Sequence, residues 1–205
     1  MTRKCSTLLF IALPMILAAA AAGYMVSRQL ARAVPQLASG SALPQPRQLP
    51  QFALTSHDGA PFGKAQLAGK PSLLFFGFTH CPDVCPTTLA QMAQLRRDPK
   101  LAGLRLVFVT VDPARDDAQA LRQYVNAFGE GFTGVRGEEA ALQPLLQGLM
   151  VAHSTQPLPG GGYTVDHSSA LYYLNARGDW SAAFTPPFDP RLLAQDISTL
   201  LASGY

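Results

Sequence analysis

The feature that most constrains the fold is an apolar run that leads within a few residues into two cysteines. Leu73–Phe78 is long and apolar enough for a buried β-strand, and Cys81 and Cys85 follow it closely. The amphipathic segment that begins at Thr87 predicts a helix. The chain is therefore expected to place two thiols where a strand gives way to a helix, a junction typical of α/β folds.

The spacing of the two cysteines limits what they can do. Residues i and i+4 on a forming helical turn lie about 6 Å apart at Cα, so their sulfurs can form a disulfide or bind one metal ion. The unpaired N–H groups and positive dipole end of a helix N-terminus stabilise thiolates. We therefore expect Cys81 and Cys85 to be a redox-active pair, more reactive than buried structural cysteines.

The front of the chain has the composition of a membrane segment. Twenty uncharged, mostly apolar residues run from Thr7 to Val26, after Arg3 and Lys4. As a helix this stretch is about 30 Å long, which matches the hydrocarbon core of a bilayer. Ala18–Ala22 also fits a signal-peptide cleavage region, but the apolar stretch is longer than a usual signal-peptide core. Residues 1–27 are therefore predicted to be a single transmembrane helix in the inner (cytoplasmic) membrane, with the C-terminal domain on the periplasmic side.

The net charge argues against nucleic acid as a partner. The whole chain carries +3, but residues 1–32 hold four basic side chains and no acidic ones. The rest of the chain therefore has a net charge of −1. It contains no stripe of basic residues interleaved with aromatics, which nucleic-acid binding requires.

The remaining sequence is organised as a linker and one domain. Residues 28–50 are rich in Pro, Gln, Ser and Ala, which predicts a flexible linker, and residues 51–205 suffice for one globular domain. In chain order the patterns predict a hairpin over Phe52–Phe62, a strand at Leu73–Phe78, a helix at Thr87–Arg97, a strand at Leu104–Val111, helices at Ala118–Phe128 and Glu138–Met150, paired strands at Ala170–Leu174 and Trp180–Phe184, and a helix at Pro190–Leu201. This order predicts a thioredoxin-like α/β sandwich with an N-terminal β-hairpin extension.

Two thiolates alone suit Cu(I), whereas a site that also holds Cu(II) needs a harder donor such as imidazole. The chain has four histidines to offer. His57 lies in a hairpin turn, the side chain of His80 should point away from Cys81, and His153 follows a helix end, so surface roles are favoured for these three. His167 follows the glycine-rich segment Pro157–Gly162, which can carry it over the thiols. The residue pattern by itself leaves the third ligand open.

Three segments together resemble the Sco/SenC family of membrane-anchored copper proteins. They are Phe76–Thr87, Val111–Asp116 and Val165–Ser168, and the resemblance extends over about residues 50–203 together with the anchor. It implies that Cys81, Cys85 and His167 bind one copper ion per chain, as Cu(I) and/or Cu(II). It also implies that Asp112, Arg115 and Asp116 hold the loop beside the thiols.

The resemblance implies a metallochaperone rather than an enzyme. Such a protein delivers copper to, or maintains the thiols of, the binuclear copper site of cytochrome c oxidase subunit II. The expected partners are that subunit or another copper enzyme, other copper chaperones or thiol reductases, and the membrane through the N-terminal helix.

Two alternatives remain from the sequence. A membrane-anchored thiol-disulfide oxidoreductase would use Cys81 and Cys85 and bind copper incidentally, although it has no need of His167. A peroxidase related through the same fold would need an arginine and a threonine around its reactive cysteine. Arg115 and Thr79 are the only plausible residues for those positions.

Overall fold

The computed structural model describes residues 15–25 and 34–205. Residues 15–25 are helical, and residues 35–205 form a separate compact unit. Among the described residues no helix combines the length and the apolar character needed to cross a bilayer. The predicted anchor over residues 1–27 lies largely outside the described residues and stays a prediction.

The compact unit is built on an eight-stranded sheet with strand order β1-β10-β9-β4-β5-β6-β2-β3, beside a separate two-stranded ribbon of β7 and β8. The strands are β1 Gly40–Arg47, β2 Ala53–Ser56, β3 Pro61–Gly63, β4 Ser72–Gly77, β5 Arg105–Thr110, β6 Phe132–Arg136, β7 His153–Pro157, β8 Tyr163–His167, β9 Leu171–Leu174 and β10 Trp180–Phe184. The helices are α1 Lys64–Leu67, α2 Val84–Gln94, α3 Ala118–Asn126, α4 Glu139–Leu149 and α5 Pro190–Ser203, with 3-10 turns at Leu95–Arg97 and Pro99–Leu101.

The centre of the sheet sets the position of the thiol loop. All six residues of β4 are buried, as expected of a strand covered on both faces. β4 pairs in parallel with β5, and β5 in parallel with β6. Parallel strands end at the same edge of a sheet, so the segment after β4 meets the segment after β5. Cys81 therefore lies near the loop Asp112–Asp116.

Most of the predicted elements of the domain are present within a few residues. The hairpin of β2 and β3, the strands β4 and β5, the pair of β9 and β10, and the four long helices all match their sequence patterns. α4 contains Pro144 in its interior. β6, β7 and β8 were not predicted, since each is only five residues long.

The prediction that residues 28–50 form a flexible linker was wrong for residues 40–47. These residues form β1, which pairs antiparallel with β10, for example Ala42 with Ala182. β1 lies at the edge of the sheet, where proline is tolerated because one side of the strand has no hydrogen-bonding neighbour. Pro44 and Pro46 fall in the part of the strand where the register shifts. Proline content therefore marked an edge strand rather than a linker.

Candidate metal centre

The two thiols sit at the start of α2, as the sequence predicts. Cys85 lies in the first turn of the helix and is fully buried, while Cys81 precedes the helix and is half-buried. The backbone N–H of Cys85 points at the sulfur of Cys81 across 3.4 Å. Both cysteines are free thiols in this structure.

His167 is the histidine that lies against this pair. Its Nε2 atom is 3.4 Å from the Cys85 sulfur. The two sulfurs and an imidazole nitrogen all lie within 4.8 Å of one another. In the described residues this is the only group of three or more cysteine, histidine or acidic side chains with the geometry to hold a metal ion.

The ribbon of β7 and β8 delivers His167 to the thiols. His167 is the last residue of β8 and pairs with His153 of β7. Just beyond it, the Ser168 N–H donates to the Ala152 carbonyl at 2.9 Å, and the Ala152 N–H donates to the Ser168 hydroxyl at 3.0 Å. These bonds close the base of the ribbon, so His167 sits on an ordered strand end and not on the mobile loop that the glycine-rich segment indicated.

A backbone contact sets the tautomer of the His167 ring. Nδ1 lies 3.1 Å from the carbonyl oxygen of Ser168, which can only accept a hydrogen bond. Nδ1 therefore carries the proton, and the lone pair of Nε2 faces Cys85. The rings of Phe75 and Phe78 stand edge-on to the imidazole at centroid distances of 5.9 and 6.0 Å. A tautomer held this way presents Nε2 ready to bind a cation.

The expectation that both thiols favour the thiolate was wrong for Cys85. Burial raises the pKa of the Cys85 thiol, and the neighbouring Cys81 raises it further. Desolvation of the charged form outweighs the helix N-terminus here, because the sulfur is fully enclosed. A thiolate at this position needs a cation beside it, and a metal ion that binds the sulfur supplies that charge directly.

Gly77 makes room for the sulfur of Cys85, a role that its position in the sequence did not predict. A Cβ atom at Gly77 would lie 2.8 Å from the Cys85 sulfur and 2.9 Å from the Phe108 ring. Both distances are shorter than van der Waals contact, so only glycine fits without movement. A glycine at the end of an otherwise apolar buried strand was the available signal, since it often marks a close approach.

Asp116 ties the thiol loop to the central sheet. Its carboxylate is fully buried and accepts from the Thr79 N–H at 2.9 Å, the Thr79 hydroxyl at 2.6 Å and the Thr110 hydroxyl at 2.5 Å. Thr79 lies two residues before Cys81, and Thr110 ends β5. The carboxylate therefore joins the two loops that meet at this edge of the sheet.

Asp112 and Arg115 hold the ribbon in place. Asp112 accepts hydrogen bonds from Arg115 Nε and, at 2.8 Å, from the Tyr163 hydroxyl at the start of β8. Arg115 also donates to the Tyr163 carbonyl at 2.9 Å, and its guanidinium lies 3.8 Å from the centroid of the Tyr163 ring. The loop after β5 thus fastens the far end of the strand that carries His167.

These contacts weigh against the peroxidase alternative. The Thr79 hydroxyl donates to Asp116, and Arg115 Nε donates to Asp112. Across the described part of the chain, neither residue forms a hydrogen bond with a cysteine. Thr79 and Arg115 act as supports for the loops.

The other three histidines lie outside the thiol site. His57 accepts from the Gly134 N–H at 2.9 Å, so it anchors β6 and is not the solvated turn residue that its sequence position indicated. His80 is half-exposed, and its Nδ1 lies 3.1 Å from the Thr79 hydroxyl. His153 Nε2 lies 3.1 Å from Glu139 Oε1. Asp83 and Asp166 are exposed.

Burial of His167 has a consequence for stability that denaturation can measure. Burial lowers the pKa of His167 below its ordinary value of about 6.5. Between the two values the unfolded chain binds more protons, so the free energy of unfolding is expected to fall as pH decreases from about 7 toward the lowered pKa, and this contribution then levels off. In a His167→Gln variant this decline should disappear, as urea denaturation of both proteins from about pH 7.5 to 5 will show. Parallel curves for the two proteins would contradict it.

Comparison with known proteins points to one family. The model of the SCO1/SenC family matches residues 41–202. The mitochondrial SCO2 homolog of Mus musculus is 39% identical over 132 residues, which cover 62% of this chain and 52% of that protein. The chain therefore spans about half the length of this relative.

Solved structures agree with the sequence match. Yeast Sco1 with copper bound is 30% identical with a TM-score of 0.70, and the match covers 77% of this chain and 90% of that one. Arabidopsis thaliana ScoI with copper bound is 26% identical with a TM-score of 0.71, and the match covers 75% and 98%. These likenesses confirm the predicted thioredoxin-like α/β fold.

Proposed function

Because this chain belongs to the SCO1/SenC family, we propose that it binds one copper ion through Cys81, Cys85 and His167 and delivers it during assembly of cytochrome c oxidase. The observation that carries the proposal is the convergence of two sulfurs and one imidazole nitrogen within 4.8 Å. The relatives solved with copper bound support copper as the metal.

The donor set suits copper in both oxidation states. Thiolates are soft ligands that favour Cu(I), and a neutral imidazole suits Cu(II) as well. The lone pair of His167 Nε2 already faces the sulfur of Cys85. When copper is bound it makes the thiolate of Cys85 favourable inside an apolar pocket, which offsets the burial that otherwise raises the pKa of that thiol.

The arrangement also allows the metal to leave. Three protein ligands leave copper open to attack by a fourth, so a partner's thiol or imidazole can replace them one at a time. His167 comes from the β7–β8 ribbon, which is separate from the eight-stranded sheet. A movement of His167 away from the metal therefore breaks no hydrogen bond of the eight-stranded sheet. Cys81 is the more exposed sulfur and is the ligand a partner would reach first.

The recipient is proposed to be the binuclear copper site of cytochrome c oxidase subunit II. After copper release the two thiols can also reduce a disulfide there. Cys81 attacks one sulfur of the partner disulfide, which forms a mixed disulfide and releases the other partner sulfur as a thiol. Cys85 then attacks the Cys81 sulfur and releases the second partner thiol. Two electrons and two protons thereby pass to the partner, while Cys81 and Cys85 become a disulfide. Copper delivery and thiol maintenance are thus compatible with the same site.

The proposed location is the periplasmic face of the inner membrane, with residues 1–27 as a single-pass anchor. The apolar stretch from Thr7 to Val26 supports it. Only residues 28–39 lie between the predicted anchor and β1, so the copper site would act close to the membrane in which its recipient resides.

The rival function is that of a thiol-disulfide oxidoreductase in which copper is incidental. The two free thiols at a helix N-terminus are compatible with it. The contact of His167 with Cys85 favours the copper chaperone, because thiol exchange requires no metal-binding imidazole at that distance.

An anaerobic copper titration of the reduced protein against a competing chelator tests the proposal. We expect one tightly held copper per chain in both oxidation states. His167→Ala removes a ligand outright, so it should weaken Cu(II) binding by at least the roughly 10–100-fold that loss of a ligand-orienting group costs. Cu(I) binding should weaken less, because thiolates dominate the binding of Cu(I).

His153→Ala is the matched control for this titration. His153 lies directly opposite His167 on the same ribbon but outside the thiol site, so this variant should keep the affinity of the wild type. Weak copper binding by the wild type, or equal losses of copper affinity in the two variants, would favour the thiol-disulfide oxidoreductase as the function.

A further inference from the structure

A groove at a distance from the thiols is lined by basic residues. It lies between α5 and the two 3-10 turns that follow α2, has a volume of about 900 Å³, and is open to solvent. Arg97, Lys100 and Arg191 line it and are exposed. Its remaining polar lining is largely neutral and includes Gln195 and Ser198. We call this surface the basic groove.

The positive charge of the basic groove is not neutralised from within. Asp98 is its one acidic lining residue among those described, and its carboxylate accepts the Lys100 backbone N–H at 2.9 Å. In the part of the chain that the structure describes, Arg97, Lys100 and Arg191 take part in no ion pair. Three cations and the one carboxylate of Asp98 leave the lining with a net charge of +2, which fits an anionic ligand with phosphate chemistry.

The positive charge of the basic groove contrasts with the net negative charge of the domain. Residues 33–205 have a net charge of −1, so the domain as a whole has no attraction for anionic surfaces. Any such attraction must come from a local surface such as the basic groove.

The segment just before β1 is hydrogen-bonded to α5, the helix that also lines the basic groove. Asp196 of α5 accepts hydrogen bonds from the Ala38 N–H at 2.8 Å and from the Ser39 N–H and hydroxyl, each at 2.7 Å. Its neighbour Gln195 lines the groove. Residues 28–37, between the predicted anchor and this contact, reach at most about 35 Å when fully extended. A domain tethered so closely stays within reach of the lipid surface.

We propose that the basic groove binds the anionic headgroups of the membrane to which the chain is tethered. The proposal rests on the anchoring proposed above. Each lysine or arginine near an anionic bilayer adds about fivefold to the affinity, and the tether raises the effective concentration of headgroups at the groove.

Seating the groove on the bilayer would orient the copper site. The thiols lie at the N-terminal end of α2, whereas the groove lies past its C-terminal end, and eleven helical residues separate the two by about 16 Å. With the groove against the headgroups, Cys81 and His167 would face away from the membrane. That orientation presents the copper to the exposed domain of a membrane-bound recipient.

Vesicle binding by the domain alone tests this proposal, since residues 35–205 form a compact unit with its own sheet and core. We expect the domain to bind mixed phosphatidylcholine–phosphatidylglycerol vesicles and not pure phosphatidylcholine vesicles, with binding that weakens as salt is added. The combined variant Arg97→Gln, Lys100→Gln and Arg191→Gln should bind the anionic vesicles about 100-fold more weakly.

A charge-matched control is available outside the groove. Arg47→Gln, Lys64→Gln and Arg122→Gln together remove the same charge from surfaces that do not line it. This control should retain vesicle binding. Equal losses in the two triple variants, or no binding of anionic vesicles by the wild type, would overturn the proposal.

Two further readouts separate this proposal from others. Binding of the wild-type domain to polyglutamate but not to anionic vesicles would assign the groove to an acidic protein segment and overturn the lipid proposal. The copper titration of the groove variant should be unchanged, because its substitutions lie away from the thiols. Loss of copper binding there would show that the substitutions act on the fold, which would also overturn the proposal.

Discussion

The Asp116→Ala variant is expected to lose about 3–5 kcal/mol of unfolding free energy. The substitution removes a fully buried carboxylate and leaves three donors without their partner, namely the Thr79 N–H and the hydroxyls of Thr79 and Thr110. Each unpaired buried donor costs about 1–3 kcal/mol, although the two hydroxyls can turn toward other acceptors. Urea denaturation of the apo domain measures the loss directly.

Asp117→Ala is the natural control, since Asp117 is the next residue and is an acid with a local role. Its side chain caps α3 by accepting the Ala120 N–H at 2.8 Å, a contact worth about 1 kcal/mol. Asp116→Asn keeps one carbonyl oxygen and should fall between the two. A loss in Asp116→Ala no larger than in Asp117→Ala would contradict the role assigned to the buried carboxylate.

The Gly77→Ala variant is expected to damage stability and copper binding together. The new methyl group would lie 2.8 Å from the Cys85 sulfur and 2.9 Å from Phe108, so one or both must move within a closely packed interior. Overpacking of this kind costs about 1–3 kcal/mol. Because the displaced atom is a proposed ligand, copper affinity should fall by about 10–100-fold, comparable to the loss of a group that orients a ligand.

Gly103→Ala provides the matched comparison for this effect. An added Cβ at Gly103 meets no atom within 4 Å, so its stability and copper affinity should remain those of the wild type. Parallel denaturation and copper titration of the two variants decide the question. Gly77→Ala with unchanged copper affinity would show that the sulfur of Cys85 has room to move, and that the close approach does not set the site.

The two variants probe different parts of one arrangement. Asp116 holds the thiol loop from the side of β5, whereas Gly77 admits the Cys85 sulfur beneath it. Gly77 pairs with Thr110, whose hydroxyl donates to Asp116, so the two substitutions share a neighbour and their losses of stability are not expected to add. Neither residue is a metal ligand, so either substitution could change copper affinity only by moving Cys81 or Cys85.

Local patterns were sufficient for the centre of the fold. β4 and β5 are continuous apolar runs, and α3, which follows β5, has a clear apolar period and is capped by Asp117, so these signals depend on few distant contacts. The cysteine pair at the start of α2 follows from the same local pattern. The edge strand β1 did not, because its composition is that of a linker and only pairing with β10 makes it a strand.

The sequence by itself determined the two thiols, their strand-to-helix junction and, through three separated segments, the family to which the chain belongs. The family resemblance implied His167 as the third ligand. Only the tertiary structure shows what brings it to Cys85 across 82 residues of sequence, namely a ribbon whose ends are held by Asp112, Arg115 and Ser168. It also decided that Cys85 is buried deeply enough to raise its pKa, and that Gly77 must lack a side chain. These properties arise from atoms that pack together across the fold, and no local pattern encodes them.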